Sequence, residues 1–387
     1  MLGHLAGAIR SFKNVKKVIW EIGEHEPSWM HDLIMKTLPD LPLESLVISI
    51  YERTFPSLQL SQLSHLRRIC IEWPGIYYNS ADALFSELAK LISQSPKLSH
   101  LELCLPRSSL QTLIQNLIAI SPLSLEHLSV AWMRVLPEDI LHLSRHLRNL
   151  KYLGLNKYIN SSSLNNQPHD EIWERLQAQE IYLNNISTDC IDDFLVSYLD
   201  SFEGLGHLRL TTKNVATQPV RLLAAISAHH ANSLVEFDLF AEHGRDEWAW
   251  PFDDQLKALL PSLYNLKYLG VTTHSLPDAA SSGDENHIHA LISFCEKSFP
   301  RLEILTLYFS PFRFWNSGAE VHFFKHRKVV HPSAYAYGSL SKQLHQAITT
   351  YQVVNTPPST FRIMTKAQMF VRLHDSRTGA FPFTLTE

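Results

Sequence analysis

One six-residue phrase constrains this chain more than any other feature. Leu150-Lys151-Tyr152-Leu153-Gly154-Leu155 returns almost letter for letter as Leu266-Lys267-Tyr268-Leu269-Gly270-Val271. Relaxed to an apolar-x-x-apolar-x-apolar template, it occurs eleven times, opening at Val15, Leu43, Leu66, Leu98, Leu125, Leu150, Ala178, Leu205, Leu234, Leu266 and Leu302. The ten intervals between residues 15 and 302 average about 29 residues. A fixed period of this size marks a solenoid, and Leu-x-x-Leu-x-Leu is the leucine-rich-repeat phrase. Each phrase reads as a short strand whose three apolar residues enter the core.

Between phrases the apolar period changes from 2 to 3.6. Asn79 and Ser80 are placed to cap a helix carrying Ala81, Leu84, Phe85, Leu88, Leu91 and Ile92. Further stripes run through Leu110 to Ile118 and behind Pro137, a residue suited to a first helical turn. Others run Ile191 to Tyr198 behind a Ser187 or Thr188 cap, Val220 to Ser227, and Ile288 to Cys295. Strand and helix alternating over short connections predict an α/β leucine-rich-repeat solenoid, a horseshoe with a parallel inner sheet and outer helices. Its limits are residues 15–310. Residues 1–14 form a cap or truncated repeat, in which Leu2, Leu5, Ala8, Ile9 and Phe12 follow helical spacing. Residues 311–387 form a C-terminal cap with one helical pattern near 340–353 and a hairpin of Thr360–Met364 with Met369–Leu373.

Composition narrows the function classes. Thirty-four basic and 38 acidic residues leave a net charge of −4, no argument for nucleic acid or an anionic membrane. Cys70, Cys104, Cys190 and Cys295 form no Cys-x-x-Cys, and reduced buried thiols suit a cytoplasmic or nuclear protein. No cofactor motif is found: neither a Gly-x-Gly-x-x-Gly, nor a phosphate loop, nor a Gly-x-Ser-x-Gly elbow. His142 and His146 lie four apart without the glutamate of the metalloprotease motif, and His322, His326 and His331 stand among Lys325, Arg327 and Lys328. Both groups are read as structural or solvated, and the chain as non-enzymatic. Asp192 and Asp193 are read as first-turn acids complementing a helix dipole.

The third, fifth and seventh residues of each phrase should face the concave side. They include His100, Glu102, His127, Tyr152, Asn156, Tyr182, Asn184, His207, Arg209, Asp238, Phe240 and Tyr268. Any solenoid must place some side chains there, but Tyr, His, Asn and mixed charge suit recognition of a protein surface or peptide. Long insertions fall after the strands, at Pro74–Tyr78, Tyr158–Asp170, Glu242–Pro251 and Ser275–Asn286, and insertions gathered on one edge often mark a binding face. Trp73, Trp132, Tyr77, Tyr78, Trp248 and Trp250 lead into that edge and are expected to build an aromatic rim. The competing reading packs each under its own loop.

Uneven repeats with phrases such as Leu125-Glu126-His127-Leu128-Ser129-Val130 and Leu302-Glu303-Ile304-Leu305-Thr306-Leu307 resemble the F-box/leucine-rich-repeat proteins, particularly fungal ones. The resemblance covers residues 15 to about 310. It implies a horseshoe that binds a protein substrate, while an N-terminal F-box docks on the Skp1–cullin ubiquitin ligase. Fourteen residues precede the first phrase, fewer than a three-helix F-box needs, so ligase docking is expected only if an F-box is missing from this chain. The alternative expectation is a leucine-rich-repeat regulator such as a GTPase-activating protein or enzyme inhibitor.

Overall fold

A computed structural model describes residues 2–23, 25–51, 58–73, 82–105, 108–117, 121–156, 171–215, 217–241, 246–273, 287–309, 345–351, 362–365, 369–372 and 383–386. The chain divides into two compact units, Met1–Asp189 with Asp193–Ser201, and Cys190–Asp192 with Phe202–Glu387. In both, parallel strands follow one another in sequence order and alternate with helices, the α/β arrangement of a leucine-rich-repeat solenoid.

The first unit opens with helix α1 (Leu2–Arg10). Strands β1 (Lys17–Ile22), β2 (Ser45–Ile50), β3 (Arg68–Glu72), β4 (His100–Cys104), β5 (His127–Ala131), β6 (Tyr152–Asn156) and β7 (Asn185–Ile191), whose last two residues are assigned to the second unit, follow. Between them lie α2 (Ser28–Thr37), α3 (Asp82–Ser93), α4 (Leu110–Leu117), α5 (Pro137–Leu143) and α6 (Glu171–Ala178), and α7 (Asp193–Asp200) closes the unit. Register stacks the phrases: Val18, Leu46, Ile69, Leu101, Leu128, Leu153 and Ile186 are successive partners. All of them except half-buried Val18 are buried. Fully burying one such aliphatic side chain is worth roughly 1.5–3 kcal/mol, so a row of them holds the inner sheet against the helices. On the helix side Leu84, Phe85, Leu88, Leu91 and Ile92 of α3 are buried, as their 3.6 spacing predicts.

A repeated backbone contact marks the second residue of each phrase. The carbonyl of Ser99 accepts the N–H groups of Glu126 and His127, that of Glu126 those of Lys151 and Tyr152, and that of Lys151 those of Asn184 and Asn185. The last of these corrects the seventh phrase, which begins at Leu183 rather than Ala178. Ala178 ends α6, and β7 enters five residues later than the template placed it. The template slipped because Ala178, Ile181 and Leu183 satisfy it by chance, whereas the true phrase closes on Thr188. Ser187 and Thr188 therefore lie inside β7 and do not cap α7, which starts at Asp193.

The second unit carries β8 (His207–Val215), β9 (Glu236–Phe240), β10 (Tyr268–Thr273) and β11 (Ile304–Phe309), with α8 (Pro219–His229), α9 (Asp254–Leu259) and α10 (His287–Ser298) between them. In α8 the buried residues are Pro219, Leu222, Leu223, Ala225 and Ile226, so the expected stripe through Val220 and Ala224 is out of phase. Asp253 caps α9, accepting from the Leu256 N–H at 2.8 Å. Beyond β11, β12 (Arg362–Met364) adds one more parallel strand. It then pairs antiparallel with β13 (Met369–Arg372), the expected hairpin, and β13 pairs with β14 (Phe383–Thr386), a strand the sequence reading lacks. Residues 345–350 are helical, within the stretch where a helix was expected. No helix among the described residues is long and apolar enough to cross a membrane.

Candidate functional site

Side chains at the third, fifth and seventh phrase positions stand on the strand face opposite the helices, and in each unit they engage their neighbours laterally. In the first unit the row begins at Arg68, whose guanidinium meets Glu102 at 2.6 Å. Glu102 lies 3.5 Å from His127 on the next strand. His127 stacks on Tyr152 with ring centroids 4.0 Å apart and planes 3° from parallel, and on its other side lies against His100 at 5.3 Å. Farther along, Ser187 donates to Asn156 at 3.0 Å. Arg68, His100, Glu102, His127, Tyr152 and Asn156 are all half-buried, so the row is both open to a partner and held by its own contacts. Cys70 lies beneath Glu102, and burial together with that carboxylate pushes its thiol up, keeping it protonated.

The second unit builds a tighter cluster. Arg209 reaches Asp238 at 2.8 Å and Glu236 at 3.2 Å, while His207 meets Glu236 at 2.9 Å. The Tyr308 hydroxyl donates to Asp238 at 3.1 Å and lies 3.3 Å from that of Tyr268. Phe240 packs edge-on against the Tyr308 ring at 5.5 Å. Asp238 is buried, which pushes its carboxyl up from the usual aspartate range against the pull of Arg209. Gly270 makes this possible, because a Cβ there would stand 2.1 Å from an Asp238 carboxylate oxygen.

Ten of the expected face residues, His100, Glu102, His127, Tyr152, Asn156, His207, Arg209, Asp238, Phe240 and Tyr268, thus lie on their strands as the alternation requires. Tyr182 and Asn184 do not. The later start of β7 leaves both exposed in the segment before it, and Asn185 and Ser187 take the face positions instead. Arg68 and Tyr308 join the clusters without having been singled out, although the same position rule, applied to the phrases at Leu66 and Leu302, finds both.

The aromatic rim is not formed by its tryptophans. Trp73, Trp132, Trp248 and Trp250 are all buried. Trp250 packs among Phe252 and Phe294 and donates its indole N–H to the His287 carbonyl at 2.8 Å. Removing that much apolar surface from water outweighs any display at an edge. Tyr77, Tyr78 and most of the expected insertion loops lie outside the described residues, as do His322, His326 and His331. Buried histidines serve the backbone: His146 Nδ1 accepts the Leu123 N–H at 2.9 Å, and His230 Nδ1 that of Leu205 at 3.3 Å. Burial, then Arg145, pushes the His146 pKa down and favours this neutral acceptor form. Among the described residues no group of three or more His, Cys, Asp or Glu side chains is placed to hold a metal ion.

No protein-family model matches this chain, and no curated protein matches it.

Proposed function

We propose that this chain is a non-enzymatic protein-binding module that holds a partner segment against its outward strand faces. The observation that carries the reading is the row Arg68–Glu102–His127–Tyr152 of the first unit. Its side chains combine half exposure with fixed lateral contacts. Groups already held in one arrangement lose less freedom when a partner arrives, and Tyr and Arg are the residue types that dominate interface energetics. Within this reading, the uneven Leu-x-x-Leu-x-Leu repeats favour a role like the substrate-recognition part of an F-box ubiquitin-ligase adaptor. Skp1–cullin contacts would then require an F-box outside the residues of this chain.

Selection of displayed peptides against the whole chain tests the proposal. Selected peptides should bind the native chain and lose at least tenfold in affinity to a His127→Ala/Tyr152→Ala variant whose circular dichroism is unchanged. Equal binding to both proteins would remove this row from the binding surface.

A further inference from the structure

The segments that lead into β2, β3 and β4 surround a cavity of about 360 Å³ within the first unit. Its floor is apolar, formed by the buried Leu38, Leu41 and Leu63, and the exposed Pro39, Pro42 and Pro96 stand around it. Proline has a fixed φ and no backbone N–H. The walls are therefore stiff and poor in main-chain donors, so any charge recognised here must be met by side chains. Exposed His65, Arg67 and Lys97 line the same cavity. His65 and Lys97 each stand immediately before the first leucine of a phrase, equivalent places in consecutive repeats. His65 holds a left-handed backbone, φ 64°, fixed by its N–H donating to the Gln94 carbonyl at 3.2 Å. Among the described residues no carboxylate lies within ion-pair distance of His65 or Lys97. Glu44 is the one acid among the lining residues, and it is held by Lys16 at 2.8 Å, with Arg67 at 4.0 Å. Asp40, beside Pro39, is taken by Arg10 at 2.7 Å. Cations thus outnumber acids around this apolar floor, in a chain whose net charge is −4.

We infer that this cavity docks an acidic segment of another protein. One apolar side chain of the segment enters between the leucines and prolines, while its flanking carboxylates meet His65, Arg67 and Lys97. The volume falls within the roughly 300–1,000 Å³ typical of binding cavities. Removing the apolar side chain from water supplies affinity, and complementary charge selects the partner and speeds encounter. Stiff walls that need no reordering lower the cost of association. All the lining residues precede their strands in the chain, apart from the outward faces that carry the row Arg68–Glu102–His127–Tyr152. The site is therefore independent of that row. Cations that were merely solvated would attract any acidic peptide equally, with or without an apolar side chain to bury.

Fluorescence anisotropy of the whole chain with labelled five-residue peptides separates the two. A peptide with one leucine between two pairs of glutamates should bind saturably, with a dissociation constant below about 1 mM. Exchanging its leucine for serine, or its glutamates for glutamines, should weaken binding about tenfold. Arg67→Glu/Lys97→Glu reverses the rim at two exposed positions. It should lose the glutamate peptide by at least about tenfold and gain the counterpart that carries lysines in place of glutamates. Circular dichroism separates lost binding from lost folding, and Arg67→Gln/Lys97→Gln, the milder change, should weaken binding in the same direction. The His127→Ala/Tyr152→Ala variant should bind the glutamate peptide as the starting protein does, which keeps this result distinct from that for the strand faces. The inference is overturned by the absence of saturable binding, by equal binding of the serine peptide, or by folded rim variants that bind unchanged. Loss of the peptide in the His127→Ala/Tyr152→Ala variant would place it on the strand faces and overturn the inference as well.

Discussion

Gly270 shows how one missing side chain sets the chemistry of a cluster. Asp238 occupies the space above it and is pinned from two directions by Arg209 and Tyr308. Gly270→Ala should therefore destabilise the chain by about 2 kcal/mol or more, since the carboxylate must leave its partners while still buried. Gly154→Ala is the informative contrast. There the closest obstacle is the Ser129 hydroxyl at 2.7 Å, the end of a short side chain that can rotate away, and the Tyr152 ring, at 3.0 Å from its hydroxyl and 3.1 Å from a ring carbon, need give only a few tenths of an ångström. Urea midpoints of the two variants should differ in that order. Asp139 gives a pH signature at the same scale. It is buried, accepts the Leu136 N–H at 2.8 Å at the start of α5, and has its carboxyl pushed up to about 6, chiefly by burial. The folded chain thus holds this proton more tightly than the unfolded chain does. The resulting contribution to stability is complete below the ordinary aspartate value near 4 and is lost as the pH climbs through about 6. Asp139→Asn, which cannot titrate, should flatten that fall in urea titrations between pH 4 and 7. An unaltered slope would assign the pH dependence to other groups.

Elements are positioned as much by single polar anchors as by apolar stripes. Tyr198 on α7 is fully buried; its hydroxyl donates to the Ile181 carbonyl at 2.8 Å and accepts the Leu183 N–H at 3.0 Å. This contact ties α7 to the segment that delivers β7. Tyr198→Phe strands two buried backbone groups and should cost about 2–4 kcal/mol, with amide exchange accelerating first around residues 181–188. The same segment is where sequence reasoning misplaced a strand. Leu183-x-x-Ile186-x-Thr188 ends on a polar residue that is nonetheless buried, and a hydrophobicity template cannot recognise it. The other inner strands were legible because each phrase supplies three apolar residues at fixed spacing. Their face residues followed directly, since alternation along a strand leaves no choice once the phrase is located. The tryptophans were harder to assign. Sequence shows that Trp248 and Trp250 sit in an insertion, but whether such a ring lies over the core or beside it depends on loop folding.

At the scale of the whole molecule, successive elements contact their sequence neighbours, as α3 does α4 and α4 does α5. A defect should therefore stay local. Leu88→Ala, at a fully buried position of α3, should cost about 2–5 kcal/mol. Hydrogen exchange should rise across β3, β4 and α4 while protection of β8 to β11 stays unchanged. Uniform loss of protection would mean that the chain unfolds as one cooperative body. What the sequence by itself determined is the repeat: the period, the strand–helix alternation and, outside the seventh phrase, the residues able to face outward, because apolar spacing encodes burial locally. Only the tertiary structure decided which of those residues meet. Arg68, Glu102, His127 and Tyr152 are separated in the chain by roughly a repeat each and become neighbours through strand register. Asp238 finds Tyr308 across Gly270 for the same reason. Lateral contact between repeats is a property of stacking, and no single repeat contains it.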